Sequence, residues 1–370
     1  MNRLQALHEA GVSIWLDTLS RELLDSGEFA ELIAASAVTG ATSNPTIFAT
    51  AITGSDRYDD QLRAAVESGL RDPQELFFEL ALEDIRRAAD LLRPAYEESD
   101  GRDGFVSFEC TPDLADDTQA TIAQATELWR RLARPNVMIK VPATEAGIPA
   151  IEELTARGVN VNITLLFSIA RYEQVIDAYV GGLEQRVAAG EPVDRISSVA
   201  SFFVSRVEVK ADALLPAESD VRGRLAIANA HVAYARYRER FADERWLALR
   251  EAGARRQRPL WASTGTKDPA YSDVLYVEEL IAPEVINTMP DATLRAFADH
   301  GDVGRALDVD AGAAEETLRR GSDAGIDLDS ITAELEREGV DSFCASYHEL
   351  LECIEAKLEP RVPGRSPGSS

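Results

Sequence analysis

Short apolar runs rich in β-branched and aromatic residues alternate along this chain with longer segments in which apolar positions recur every three to four residues. That rhythm predicts strands joined by crossover helices. Eight such runs occur: IWLDTL (Ile14–Leu19), TGATSNP (Thr39–Pro45), FVSFEC (Phe105–Cys110), VMIKVPA (Val137–Ala143), VNITLLF (Val161–Phe167), SSVASFFVSR (Ser197–Arg206), PLWASTGT (Pro259–Thr266) and VINTMP (Val285–Pro290). Eight strand–helix repeats in one chain predict an α/β protein with a closed (β/α)8, or TIM, barrel. An open doubly wound sheet competes, but no GxGxxG motif follows the first run.

Two stretches exceed what a plain barrel needs. The segment 46–104, between the second and third runs, is too long for one crossover and predicts an inserted helical pair. Within it Pro73 can open a helix, Leu76, Phe77, Leu80, Ile85, Ala88 and Leu92 mark one buried face, and Pro94 is expected to end the pattern. Beyond Pro290 a helical extension over 291–358 is expected to cover part of the barrel. Asp341 is its expected N-cap, with Phe343, Leu350, Leu351, Ile354 and Leu358 on one face. Residues 1–358 thus read as one barrel domain, and the Pro-, Gly- and Ser-rich stretch 359–370 as a disordered tail.

Composition narrows the partners. With 64 acidic against 38 basic residues the formal net charge is −26, which disfavours extended contact with nucleic acid or anionic lipid. At 45% hydrophobic residues the chain can build a large core. Cys110, Cys344 and Cys353 are odd in number and lack CxxC spacing, so a reducing cytoplasm is the expected setting. Neither a secretory leader nor a membrane span is expected, because no window carries the required apolar length.

In a (β/α)8 barrel chemistry resides at the carboxyl ends of the strands, so polar residues in or just after the apolar runs are the candidates. Lys140 stands between Ile139 and Val141, where an ammonium is costly to bury. Burial favours the neutral amine that attacks carbonyls, although a snorkelling lysine or an ion pair would also account for it. Asp17, after Ile14, Trp15 and Leu16, suits a general base or, alternatively, a helix cap. Glu109 repeats the pattern on the third run. If these three face one cavity they form a nucleophile, a base and an acid; the alternative is a buried ion-pair network. Asn44, Asn162, Thr164 and Ser201 add neutral donors and acceptors suited to a polyhydroxylated substrate, with Asn162 and Thr164 on one strand face. Arg206 and Lys267 supply cations near the last strands, where an anionic group could bind, although Arg206 could instead pair with Glu208 at the surface. His8, His231, His300 and His348 lack metal-ligand spacing, so no metal is assigned, and Cys110 should point away from the face of Glu109.

The motifs IWLDTLSR, TGATSNPTIF, VMIKVPAT, GVNVNITLLFS and SFFVSR, in that order, resemble those of the transaldolase family, from about residue 10 to about residue 355. The resemblance implies a barrel with a Schiff-base lysine on the fourth strand and no cofactor. Lys140 would form an imine with a ketose phosphate such as sedoheptulose 7-phosphate or fructose 6-phosphate, and Asp17 would take the C4 hydroxyl proton as the C3–C4 bond breaks. Glu109 with Thr164 would handle water in the carbinolamine steps. Asn44 and Asn162 would hold the dihydroxyacetone unit, which passes to erythrose 4-phosphate or glyceraldehyde 3-phosphate in the non-oxidative pentose phosphate pathway. Ser201, Arg206 and Lys267 would bind phosphate, and Phe203 would touch substrate. A homodimer is left open.

Two details depart from the family pattern or separate rivals within it. Lys267 stands where better-known members carry an arginine, keeping charge but not bidentate geometry. Fructose 6-phosphate aldolases, which release free dihydroxyacetone, tend to have Gln at the position of Glu109 and Tyr at that of Phe203; both residues here imply transfer. A catalytically silent sugar-phosphate-binding barrel would be expected to have lost at least one of Lys140, Asp17 and Glu109.

Overall fold

Each of the eight apolar runs contains a strand, because a parallel strand covered on both faces must be apolar nearly throughout. A computed structural model describes residues 2–304 and 311–358. The strands are β1 (Val12–Leu16), β2 (Val38–Thr42), β3 (Phe105–Glu109), β4 (Val137–Pro142), β5 (Val161–Leu166), β6 (Ser198–Phe203), β7 (Arg258–Ala262) and β8 (Val285–Met289). All pairings are parallel, and β1 closes on β8 with Val12 opposite Val285 and Leu16 opposite Met289, completing the expected (β/α)8 barrel. The register is interrupted by irregularities between β1 and β2, at Ile14/Trp15, and between β5 and β6, at Ile163/Leu166. Trp15 fills the barrel interior so closely to β2 that a Cβ on Gly40 would overlap its indole ring.

Several runs outlast their strands. The chain leaves β1 before Asp17, β2 before Asn44, β6 before Arg206 and β7 before Lys267, so these residues fall in the connections at the carboxyl ends. That shift moves the candidate chemistry from within strands to the rim above them.

The segment after β2 carries three helices rather than a pair: Pro45–Thr53, Asp59–Glu67 and Pro73–Glu98. Asp72 caps the third through the Glu75 amide, and Leu76, Phe77, Leu80, Ile85, Ala88 and Leu92 are buried as expected. Pro94 does not end this helix. It is exposed, as is Asp90, so water can satisfy the Asp90 carbonyl that loses its helical donor. Tyr96, packed edge-on against Phe105 at 5.4 Å, anchors the final turn.

At the other end, helices Ala311–Asp323 and Leu328–Leu358 follow β8 and Asp291–His300. The long helix starts 13 residues before Asp341, which is an exposed mid-helix residue and not a cap; Asp327 instead accepts from the Ser330 amide. Its buried face includes Phe343, Tyr347, Leu350 and Ile354, while Leu351 and Leu358 are only partly covered. It packs on Pro45–Thr53, Pro73–Glu98, Ser205–Leu214 and β5. The expected disordered tail, 359–370, lies outside the described residues. Among the described residues no helix is long and apolar enough to cross a membrane.

Candidate active site

Three neighbouring strands set the centre of the site by register alone. Glu109 on β3 pairs with Lys140 on β4, and Lys140 with Asn162 on β5. Side chains at matched positions of adjacent strands share a sheet face, so all three enter one interior layer. Lys140 is 5% exposed, and its Nζ donates to the Ser43 carbonyl at 3.0 Å and to Glu109 Oε2 at 3.4 Å. The ion pair considered from sequence therefore exists, but it is longer than a typical charge-assisted hydrogen bond. Snorkelling does not occur.

Asp17 enters from β1. Its amide donates to the Met289 carbonyl on β8, and its carboxylate accepts from Thr42 Oγ1 at 2.7 Å, so it is not a helix cap. Ser20 caps the following helix, Arg21–Asp25. Thr42 also meets Thr288 Oγ1 at 2.7 Å, tying β1, β2 and β8 together beside the carboxylate.

Burial shifts both carboxyls upward from their ordinary pKa. Burial raises the Asp17 pKa, outweighing the Thr42 hydrogen bond and the attraction of Lys140, Arg206 and Lys267. By surface Asp17 is only partly buried, yet the atoms packed around it still strip enough water to set that direction. Glu109 is raised first by burial, against the pull of Lys140 and with added repulsion from Asp17. Burial likewise pushes up the Cys110 thiol, leaving an inert core side chain.

A second group of polar residues forms a chain through the interior. Asn162 Nδ2 donates to Ser107 Oγ at 2.9 Å, and its Oδ1 accepts from Ser201 Oγ at 2.7 Å. Ser201 is thus brought to the amide of Asn162. Thr164 stands one layer higher, opposite Pro142, and its Oγ1 is buried without a hydrogen-bond partner. An orphaned hydroxyl at this depth has the capacity to hold a water or a substrate oxygen. Leu165, next to it, adopts φ +55 at the β5 irregularity.

Asn44 has a structural role that sequence left open. Its Oδ1 accepts from the Ile47 amide and caps Pro45–Thr53, so only its amide donor remains for other work. Arg206 lies near the start of helix Ser205–Leu214 with its guanidinium 5.3 Å from the Phe203 ring, which in turn packs on Phe167 at 5.1 Å. It does not pair with Glu208, which is buried and accepts from the Leu225 and Ala226 amides. Burial lowers the Arg206 pKa, against the fields of Asp17 and Glu338. Lys267 is exposed on the connection after β7 and acts on Asp17 through its charge.

Thr42, Ser107, Thr288 and the Ser43 carbonyl belong to the site but were not singled out from sequence. Ser107 was findable, since it stands two positions before Glu109 and so shares its strand face. The Ser43 carbonyl was not, because any residue type supplies one.

A lysine amine, two carboxyls of raised pKa and a chain of neutral hydrogen-bonding groups can carry out imine chemistry on a hydroxylated carbonyl compound. The sequence comparisons agree. The profile of the Transaldolase/Fructose-6-phosphate aldolase family matches residues 14–354. A protein named Transaldolase from Saccharopolyspora erythraea is 51% identical, covering 97% of this chain and 98% of its own. Proteins of the same name from Thermobifida fusca, at 50% identity over 96% of this chain and 98% of theirs, and from Mycolicibacterium smegmatis, at 48% over 96% and 97%, are similar to it throughout. With the barrel, its buried lysine and this full-length similarity in agreement, the chain belongs to the transaldolase/fructose-6-phosphate aldolase family.

Proposed function

We propose that this enzyme transfers a dihydroxyacetone unit from a ketose phosphate, such as sedoheptulose 7-phosphate or fructose 6-phosphate, to an aldose phosphate through a Schiff base on Lys140. The observation that carries this reading is the placement of Lys140 Nζ, buried between Glu109 and the Ser43 carbonyl inside the barrel. Proton transfer to Glu109 frees the amine to attack the substrate carbonyl. The carbinolamine then loses water, its hydroxyl protonated from Glu109 with Thr164 holding the departing water. Asp17 takes the C4 hydroxyl proton, the C3–C4 bond breaks, and its electrons flow into the iminium to give an enamine while the aldose phosphate leaves. The enamine adds to the acceptor aldehyde, Asp17 returns its proton to the new hydroxyl, and hydrolysis frees Lys140. Protons and electrons balance without a cofactor.

Asn162, oriented by Ser107 and Ser201, and the free amide donor of Asn44 are assigned to the hydroxyls of the retained three-carbon unit. Arg206 and Lys267 are assigned to the phosphate. The hydrogen bond from Ser201 to Asn162 favours a positioning role for Ser201 over direct phosphate contact. Phe203 supports the Arg206 guanidinium with its ring face.

Borohydride reduction in the presence of fructose 6-phosphate tests the nucleophile. A reduced adduct on Lys140 blocks tryptic cleavage there and yields a modified peptide spanning 132–157. Recovery of that span unmodified, with Lys140 cleaved normally, removes the Schiff-base role. A parallel assay with erythrose 4-phosphate separates transfer from release of free dihydroxyacetone.

A further inference from the structure

The end of the barrel opposite Lys140 holds a second cavity, of about 890 Å³, lined by residues at the amino-terminal ends of the strands and the loops that enter them. Ser13 at β1, Phe105 at β3, Ser198 at β6 and Arg258 at β7 mark its position. It is set apart from the catalytic layer by the length of the strands.

Its lining is cationic. Six arginines, Arg102, Arg195, Arg250, Arg255, Arg256 and Arg258, meet four carboxylates, in a chain whose net charge is −26. The carboxylates are largely committed. Asp103 turns inward to Ser13, Trp15 Nε1, Thr39 and the Gly104 amide. Asp100 is shared between Arg195 and Arg255, and Glu284 is held by Arg256 at 2.7 Å. That leaves three guanidiniums, those of Arg102, Arg250 and Arg258, with no carboxylate partner within ion-pair distance among the described residues. Arg258 spends its donors on Ser13 Oγ and the carbonyls of Arg102, Glu284 and Val285, none of which cancels its charge.

Two donors of the lining residues, Arg255 Nη1 and the indole Nε1 of Trp246, are buried behind the cavity wall without a hydrogen-bond partner. Burial lowers the Arg255 pKa, partly restored by Asp100 and further opposed by the like charges of Arg195 and Arg102. Surplus cations and a concave wall that focuses their field are what an oxygen-rich anion needs.

We propose that this amino-terminal cavity is a second ligand site, which binds a phosphate-bearing metabolite through Arg102 and Arg250, with Arg255 and Arg258 adding their positive field. The shared chemistry is a phosphoryl oxyanion, which an inorganic phosphate or a phosphate ester could supply.

Calorimetric titration of the full chain with pyrophosphate, inorganic phosphate and glucose 6-phosphate, in separate arms, tests the site and identifies the source. To silence the phosphate contacts at the carboxyl end, the same titrations are run in an Arg206→Gln/Lys267→Gln background. We expect saturable binding of at least one probe in both proteins, with Kd below about 1 mM. Arg102→Gln/Arg250→Gln should weaken it by roughly tenfold or more, since each substitution removes a charge-assisted contact. Basal transfer by that variant should match wild type, because neither side chain reaches the catalytic end. Hydrogen exchange of the wild-type protein with the bound probe should show protection over 99–105, 194–199 and 253–258, a readout that does not depend on how any variant folds. No saturable heat with any probe up to about 10 mM overturns the proposal. So does binding that the Arg102/Arg250 substitutions leave unchanged, or protection confined to the segments around Arg206 and Lys267.

Discussion

Lys140 and Asp17 divide the reaction between them, and their removal should fail in different ways. Lys140→Ala deletes the nucleophile while leaving space in a wall already supported by β3 and β5, so the barrel should persist. Transfer should fall by a factor on the order of 10⁴ or more, as for other nucleophile deletions. Wild-type-like turnover in a folded Lys140→Ala protein would refute covalent catalysis. Asp17→Ala should still form the reducible imine but cleave it slowly, by a factor of about 10² to 10⁴, because only the base for the C4 hydroxyl has gone. Loss of imine trapping in that variant would show that Asp17 acts earlier. These two residues were legible in the sequence because ionisable groups are costly in an apolar run unless a partner or a task retains them. The partners were less legible. Thr42 holds Asp17 from another strand 25 positions away, and the Ser43 carbonyl that receives Lys140 has no signature in the choice of side chain. Asn44 shows the converse: its place in TGATSNP marked it for substrate, yet its Oδ1 is committed to starting a helix.

Between elements, the contact that bears most directly on chemistry joins the C-terminal helix to β5. Gly339 of helix Leu328–Leu358 faces the side chain of Leu165, and a Cβ there would stand 2.8 Å from Leu165 Cδ2. Leu165 holds a left-handed backbone, φ +55, which costs about 1–2 kcal/mol for a residue with a side chain. The notch left by glycine accepts that side chain and so secures the bulge that sets Thr164. Gly339→Ala should therefore lower stability by about 1–3 kcal/mol by overpacking and slow the carbinolamine steps more than it raises KM. Leu165→Ala in the same chain should restore part of both losses, since the pair is in direct contact. Unchanged single-turnover imine formation and hydrolysis in Gly339→Ala would sever the helix from the site. The sequence revealed that an extension existed but misjudged where its helix begins. Asp341 has the chemistry of a cap, and only the packing of residues such as Ile331 and Leu335 shows that the helix is already under way. Pro94 misled in the same manner: its cost is met because it is exposed one turn from the helix end, where Tyr96 packs the last turn onto Phe105.

Across the whole molecule, the site's acids belong to a wider set of carboxyls whose pKa burial raises. Glu208 is the clearest member outside the mechanism. Burial, reinforced by Asp212, raises its pKa from the usual 4.5 to about 8, against two amide hydrogen bonds from Leu225 and Ala226. A carboxyl whose folded pKa lies above its unfolded value contributes most to stability below the unfolded pKa and loses that contribution as pH rises through the folded one. Asp17 and Glu109 are displaced in the same direction. Through Glu208 stability should therefore decline from about pH 5 to about pH 8, with a slope of up to about 1.4 kcal/mol per pH unit. Activity runs the other way, since Asp17 must be ionised to accept a proton, so the most stable pH and the most active pH should differ. Glu208→Gln isolates the structural share of this effect. It copies the neutral carboxyl and lies outside the reacting groups, so it should flatten the fall in Tm over that pH range while preserving transfer. Melting curves of both proteins across the range provide the measurement. If the two lines run parallel, Glu208 is ionised in the folded protein at every pH tested, and the slope of the wild type comes from the other raised carboxyls, Asp17, Asp84, Glu109 and Glu336 among them.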